Sequence, residues 1–277
     1  MGDNMTDKRF RIISVVVIAI MAVIWLMPVY TLFNTSFKTQ AEVAEQNYLN
    51  PPKRLQLANF VHAFKALKIG LRNSIIISSV ATFLCIFLGS LAAYSLTKFN
   101  FRFAIPVFFS IVMVTFLPYQ IILIPITHIL MTLRLLNSYA GLILIYVILN
   151  SPMAALITAT FFMKVPVDLE EAAALDGCPP FTFYLKILVP VSLPGLVAAT
   201  ILVFVQIYNE FLLGIVLTRG PDVKPVMPFL AELKGTEIAQ WHIQMAGALI
   251  TSLIPVAVFA FLGRYFISGL MAGYGKG

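Results

Sequence analysis

Long apolar runs separated by short polar stretches dominate the chain, and their lengths predict its elements. Lys8, Arg9 and Arg11 precede a charge-free run from Ile12 to Phe37, long enough to cross the roughly 30 Å hydrocarbon core of a bilayer. The run is too long for a secretory signal and has no small-residue cleavage site, so it is expected to remain as a first span. Five more runs follow, and the predicted spans are 12–33, 73–97, 103–126, 139–162, 194–217 and 245–268. The polar segment 34–72 carries Pro51-Pro52 and an amphipathic stretch, 57–71, expected as an interfacial helix and loop. Pro118 and Pro125 break the third run and free the carbonyls of Val114 and Ile121, which needs neighbours or a water-lined cavity in compensation. Asn150-Ser151-Pro152 predicts a kink in the fourth. Gln206, Asn209 and Glu210 in the fifth stand three and four apart, hence on one helix face, and an acid there is expected to face protein or water rather than lipid.

One polar, structured island interrupts the apolar runs, at 163–193. Pro166 suits a first helical turn, and Asp168, Glu170 and Glu171 place negative charge at the positive end of the helix dipole. Leu169, Ala172, Ala173 and Asp176 fall on a small, flat face suited to close approach. Gly177 supplies a left-handed terminus and Pro179-Pro180 prevent continuation. A second helix, about 181–188, is expected to turn Phe181, Tyr184, Ile187 and Leu188 inward and to stop at Pro190. The island therefore reads as a helix, a tight turn and a second helix: a docking element.

Composition supports the membrane class. Hydrophobic residues make up 60% of the 277 and charged residues 11%, against about 45–50% and 25% in soluble domains, and mean hydropathy is +0.93. Six spans leave no loop able to build a core of its own, so 1–277 is read as a single transmembrane domain. The net charge of +7 lacks the aromatic-interleaved basic stripe of a nucleic-acid binder and fits lipid headgroups better. Cys85 lies inside a span and Cys178 in the island turn, at different depths, which argues against a disulfide; neither has metal-ligand companions at useful spacing.

Glu171, Ala172, Ala173, Gly177, Ile187, Val189 and Pro190 resemble the EAA loop of the membrane subunits of ABC importers, with Val189 where that family more often has Leu. Leu117-Pro118-Tyr119-Gln120, Ile124-Pro125, Tyr208-Asn209-Glu210-Phe211-Leu212 and the end, Arg264-Tyr265-Phe266 with Gly269-Leu270, Gly273 and Lys276-Gly277, are similar to the sugar-importer group that includes the maltose permease subunits. Tyr208 departs from that group, which commonly has Trp there.

The resemblance implies an all-α membrane protein with six transmembrane helices and a cytoplasmic helix-turn-helix coupling loop between spans four and five. It implies that two separate ABC ATPase subunits hold the ATP and Mg, that a second, related but different permease subunit completes the membrane part, and that an extracytoplasmic sugar-binding protein delivers the sugar. Glu171 would pair with a basic residue of an ATPase, Ala172 and Ala173 would allow close packing, Gly177 the turn, and Ile187 and Pro190 the second helix. The chain has no Walker A pattern, since Gly275-Lys276-Gly277 lacks a following Ser or Thr and a preceding strand, so it is expected to bind no cofactor and to be no enzyme. Charge alone leaves orientation tied: with both termini inside, Lys8, Arg9, Arg11, Lys98, Arg102, Lys164, Lys186, Arg264 and Lys276 are inner, nine of 19. The basic cluster before the first span and the short basic second connection favour termini inside. The loop's need to face the ATP supply implies the same, with both termini cytoplasmic in the cell membrane.

Gln206, Tyr208, Asn209, Glu210, Tyr119 and Gln120 read as a polar wall of the translocation path, as a contact with the binding protein, or as interhelical hydrogen-bond glue. His128 falls near a span end. The loop 218–241, with Pro225, Pro228, Phe229 and Trp241, either reaches the binding protein or packs as an outer loop. Three other readings stay open: an importer subunit for glycerol phosphate, a polyol or an amino acid; an ion-coupled secondary transporter using Glu210; and a membrane enzyme, against which stand three scattered histidines, His62, His128 and His242, and the lack of metalloprotease or nucleophile-elbow motifs.

Overall fold

The computed structural model describes residues 3–46, 48–99, 101–116, 118–235 and 239–274, with the side chains of 3–9 and 266–274 left out. Leu117, Lys276 and Gly277 of the sequence motifs lie outside the described residues, as do the side chains of Lys8, Arg9, Phe266 and Leu270. Helices account for the ordered structure among these residues: α1 Asp3–Ser36, α2 Gln40–Ala44, α3 Ala58–Lys98, α4 Ala104–Phe116, α5 Leu123–Thr132, α6 Tyr139–Phe162, α7 Val167–Leu175, α8 Pro180–Phe183, α9 Val189–Val191, α10 Leu193–Tyr208, α11 Leu212–Leu217, α12 Val226–Glu232 and α13 Trp241–Tyr274. A 3₁₀ turn, Tyr119–Ile122, precedes α5, and a π turn, Tyr184–Leu188, joins α8 to α9.

Among the described residues, four helical stretches are long and apolar enough to cross a bilayer: Phe10–Ser36, Ala58–Lys98, Tyr139–Phe162 and Trp241–Tyr265. Two bent pairs make six if each is one span: Ala104–Phe116 with Tyr119–Thr132, at 85°, and Pro180–Val191 with Leu193–Tyr208, at 79°. Ile12, Val15, Ile18, Ile24 and Trp25 of α1 are each more than half exposed. In water so much apolar surface would be costly; against lipid chains it is the favoured arrangement.

The chain divides into two compact units, one formed by 1–67 and 230–252, the other by 68–229 and 253–277. In the first, Thr39 and Glu42 close a capping box that starts α2, and the amides of Asn34 and Asn59 each bind two backbone carbonyls of the segment around it. In the second, α10 and α4 lie along α6. Gly89 of α3 faces α6 so closely that a Cβ there would stand 2.8 Å from the Cβ of Ala154 and 2.8 Å from the amide nitrogen of Ala155, the small-residue crossing used where lipid supplies no hydrophobic drive between helices.

Three expectations differ from the structure. No interfacial helix is separated from the second span: α3 runs unbroken through 58–98 because Lys65, Lys68 and Arg72 stand on its exposed stripe while Ala63, Leu67 and Leu71 are buried, and its 41 residues reach about 60 Å. The run 194–217 is not one helix, since α10 ends at Tyr208 and α11 begins at Leu212. Pro125 does not interrupt a helix, because it falls in the first turn of α5, where its N–H would have had no partner; Pro118 alone marks the break. Pro152 lies inside an unbroken α6.

Candidate functional site

The island 163–193 is built by its turn. The Gly177 N–H donates to the Ala174 carbonyl (3.0 Å) and the Cys178 N–H to the Ala173 carbonyl (2.9 Å), with Gly177 at φ +71°. This pair of bonds satisfies the last carbonyls of α7 and needs a left-handed residue at Gly177. Among the described residues a Cβ at Gly177 would meet nothing within 4 Å, so its cost there is conformational, about 1–2 kcal/mol.

Of the small face, Ala173 is buried while Leu169, Ala172 and Asp176 are exposed. Glu171 is also exposed, and among the described residues no ion pair reaches it. Its neighbour Glu170 is the paired acid, 3.3 Å from Lys98 at the end of α3. The second helix starts one residue earlier than its hydrophobic spacing suggests, with Pro180 in its first turn, and the wide π turn changes its phase. Phe183, Tyr184 and Leu188 therefore go inside, Ile187 is half-buried, and Phe181, expected inside, is 58% exposed. Pro190, exposed, does not stop the chain; helical geometry continues to Val191.

Glu210 occupies the gap between α10 and α11. Its Oε1 accepts from the Tyr119 hydroxyl (3.0 Å) and its Oε2 from the Tyr146 hydroxyl (3.0 Å). Both oxygens also accept from the Leu213 N–H, at 2.9 and 3.0 Å, and Oε2 from the Gly214 N–H at 3.1 Å. Four donors from three segments thus converge on one carboxylate, which caps α11 and ties it to α6 and to the break before α5. The three residues read as one polar face divide: Gln206 and Asn209 are exposed, and Glu210 is half-buried. Gln206, Glu210, Tyr119, Asn150 and Thr115 line a cavity of about 100 Å³. Tyr208 is 1% exposed and its ring stacks on Phe204 at 5.9 Å. Gln120 and His128 are exposed.

The family model of the binding-protein-dependent transport system inner membrane component matches residues 85–271. The chain belongs to that family. It is 34% identical over 285 residues to the glucose import system permease protein GlcU of Saccharolobus solfataricus, covering 98% of this chain and 99% of that one. It is 33% identical over 275 residues to the sulfoquinovosyl glycerol transport system permease protein SmoH of Agrobacterium fabrum, covering 98% and 95%. The fold is that of the bacterial ABC transporter involved in import of the acidic polysaccharide alginate, with a TM-score of 0.78 at 19% identity, over 94% of this chain and 97% of that chain.

This inner membrane component carries further polar residues that its hydropathy pattern did not single out. Ser90, Tyr94 and Lys98 of α3, four apart and so on one stripe, bind the Tyr184 hydroxyl (2.7 Å), the Pro180 carbonyl (3.0 Å) and both the Val165 carbonyl and Glu170 (3.3 Å each). Their spacing is the signal that could have found them. Ser79, Thr82 and Ser90 of α3, with Thr200 of α10, put hydroxyls on an otherwise apolar cavity of about 510 Å³. Both cysteines are free thiols.

Two outcomes follow from this geometry. Glu210→Gln, which cannot accept from all four donors, is expected to lose about 2 kcal/mol and to lower the thermal midpoint in detergent; an unchanged midpoint would contradict the clamp. At Gly177, Asn tolerates positive φ and adds bulk, whereas Val adds bulk but does not tolerate positive φ. If only the turn matters, Gly177→Asn transports normally and Gly177→Val does not. If the open space at Gly177 receives a partner, both fail in transport assays while inserting normally in the membrane.

Proposed function

We propose that this chain forms part of the path by which an ATP-driven importer takes up a sugar delivered by an extracytoplasmic binding protein. The observation that carries the reading is the exposed, unpaired edge of α7, with Glu171, Ala172 and the open space at Gly177 facing away from the protein's own core. A helix edge that is capped, charged and unfilled suits insertion into a cleft of another protein. On this reading two ATPase subunits, holding ATP and Mg, receive the 163–193 loop, and their closure swings the spans between inward and outward access. The loop and both termini then face the cytoplasm.

Sugar as cargo is supported by the names of relatives: GlcU is the permease protein of a glucose import system, and AraQ of Halalkalibacterium halodurans, 29% identical over 266 residues, that of an arabinooligosaccharide transport system. A second, related permease completes the membrane part. The hydroxyl-bearing cavity of α3 and α10 and the small cavity at Gln206 and Glu210 are the candidates for surfaces along the path, and Asn209 stands exposed beside the latter. Glu210 acts as a clamp rather than as an ion carrier, since both its oxygens already accept hydrogen bonds from the protein.

The test is a gentle-detergent pull-down of tagged wild type and Glu171→Lys, with every copurifying chain identified. An ATPase, a second permease and a sugar-loaded binding protein are expected with the wild type, and the ATPase is expected to be lost from the variant. Recovery of the chain without any ATPase in either case would contradict the reading.

A further inference from the structure

Helix α3 is held at both ends of its Asn73 to Lys98 stretch by loops far apart in sequence. At its start, Asn73 is completely buried. Its amide donates to the carbonyls of Pro221 (3.2 Å), Asp222 (3.0 Å) and Lys224 (2.9 Å), and its Oδ1 accepts from the Tyr139 hydroxyl (2.6 Å). Ser74 accepts the Val226 N–H at 2.8 Å, and Asn137, at φ 56°, accepts the Arg219 N–H at 2.7 Å. The loop 219–226 is thus fixed by its backbone, while its tip, 219–222, stays exposed.

At its end, Ser90, Tyr94 and Lys98 bind both helices of the 163–193 loop. One apolar cluster buries Ala93 and Tyr94 of α3 together with Phe162, Val165, Ala173, Phe183, Tyr184 and Leu188. Hydrogen bonds, an ion pair with a 6% exposed lysine and a shared core leave little freedom for the loop to move without α3. Between the two ends lie about 37 Å of helix without a proline; its Gly89-Ser90 pair, a type of site where kinks occur, is packed closely on Ala154 and Ala155 of α6.

We propose that α3 is a strut linking the 163–193 loop to the 219–226 loop, so that a sugar-loaded binding protein resting on the exposed tip is felt at the ATPase face. This rests on the importer reading above. Lys98, Tyr94 and Ser90 are its positioning residues at one end, Asn73, Ser74 and Tyr139 at the other. The alternative route, through α6 and α10, which flank the loop in sequence, uses none of these side chains except Tyr139, the first residue of α6.

The two routes differ in additivity. Residues that act independently at such separation combine additively in free energy, whereas two breaks in one strut do not. The assembled complex is reconstituted in nanodiscs with ATP and Mg, and the copurified binding protein is added in its as-purified, sugar-loaded form. Lys98→Met and Asn73→Ala are each expected to cut the binding protein's stimulation of ATP hydrolysis about tenfold, with the double variant no worse than the more severe single. Tyr94→Phe with Ser74→Ala, both on α3 and each removing a hydrogen bond with little change of shape, give the same cycle if the first pair assembles poorly. Effects that multiply, or singles that stimulate normally, would overturn the strut while leaving the importer reading intact. A wild-type complex with no stimulation at all would overturn the importer reading itself.

Discussion

Inside a bilayer every backbone group that leaves the helix must find a partner within the protein, because lipid chains offer none. This constraint explains where the polar residues of the chain are used. The gap between α10 and α11 is met by Glu210, which takes the N–H groups of Leu213 and Gly214 and two tyrosine hydroxyls. Outside the spans a buried side chain meets the same need: the loop 219–226 gives its carbonyls and an N–H to Asn73 and Ser74. The start of α6 is capped by Ser138, whose hydroxyl accepts the Gly141 N–H at 3.0 Å. Hydroxyls elsewhere in the spans bond back to their own helices: Thr127 to Leu123, Thr158 to Ala154, Thr200 to Leu196.

The same constraint separates what hydropathy shows from what it hides. The apolar runs and the helix-turn-helix at 163–193 are local properties, legible from run length, from Gly177 and from the proline pair. The run 194–217 is uniformly apolar apart from its polar trio, so its period gave no sign of a break; Glu210 ends the helix by capturing N–H groups of the next one, a choice that depends on Tyr119 and Tyr146 far away in sequence. Phe181 and Phe183 exchange roles because a π turn alters phase, and hydrophobic spacing assumes an unbroken period. Lys65, Lys68 and Arg72 look like the edge of a span, yet on a helix they share an exposed stripe and need not end it.

The island illustrates the limit most directly. Glu171 and Gly177 stand out by motif, and both are exposed. Lys98, Glu170, Tyr94 and Ser90, which hold the island to α3, belong to no motif and become visible only when the two segments are seen together. A stripe at spacing four in a span next to a basic connection carried the information, without naming its partner.

The chain is a membrane component of the binding-protein-dependent family, with polar clamps at its bent helices and loops and one helix edge, at Glu171 and Ala172, exposed. The central claim is that uptake is driven by ATP through that edge. The most direct measurement is uptake of radiolabelled sugar, the one found on the copurified binding protein, into proteoliposomes holding the purified complex, with ATP supplied on one side and ion gradients abolished by ionophores. The account predicts uptake that requires ATP and the binding protein and persists without any ion gradient. Uptake that follows an imposed proton or sodium gradient and ignores ATP would contradict it.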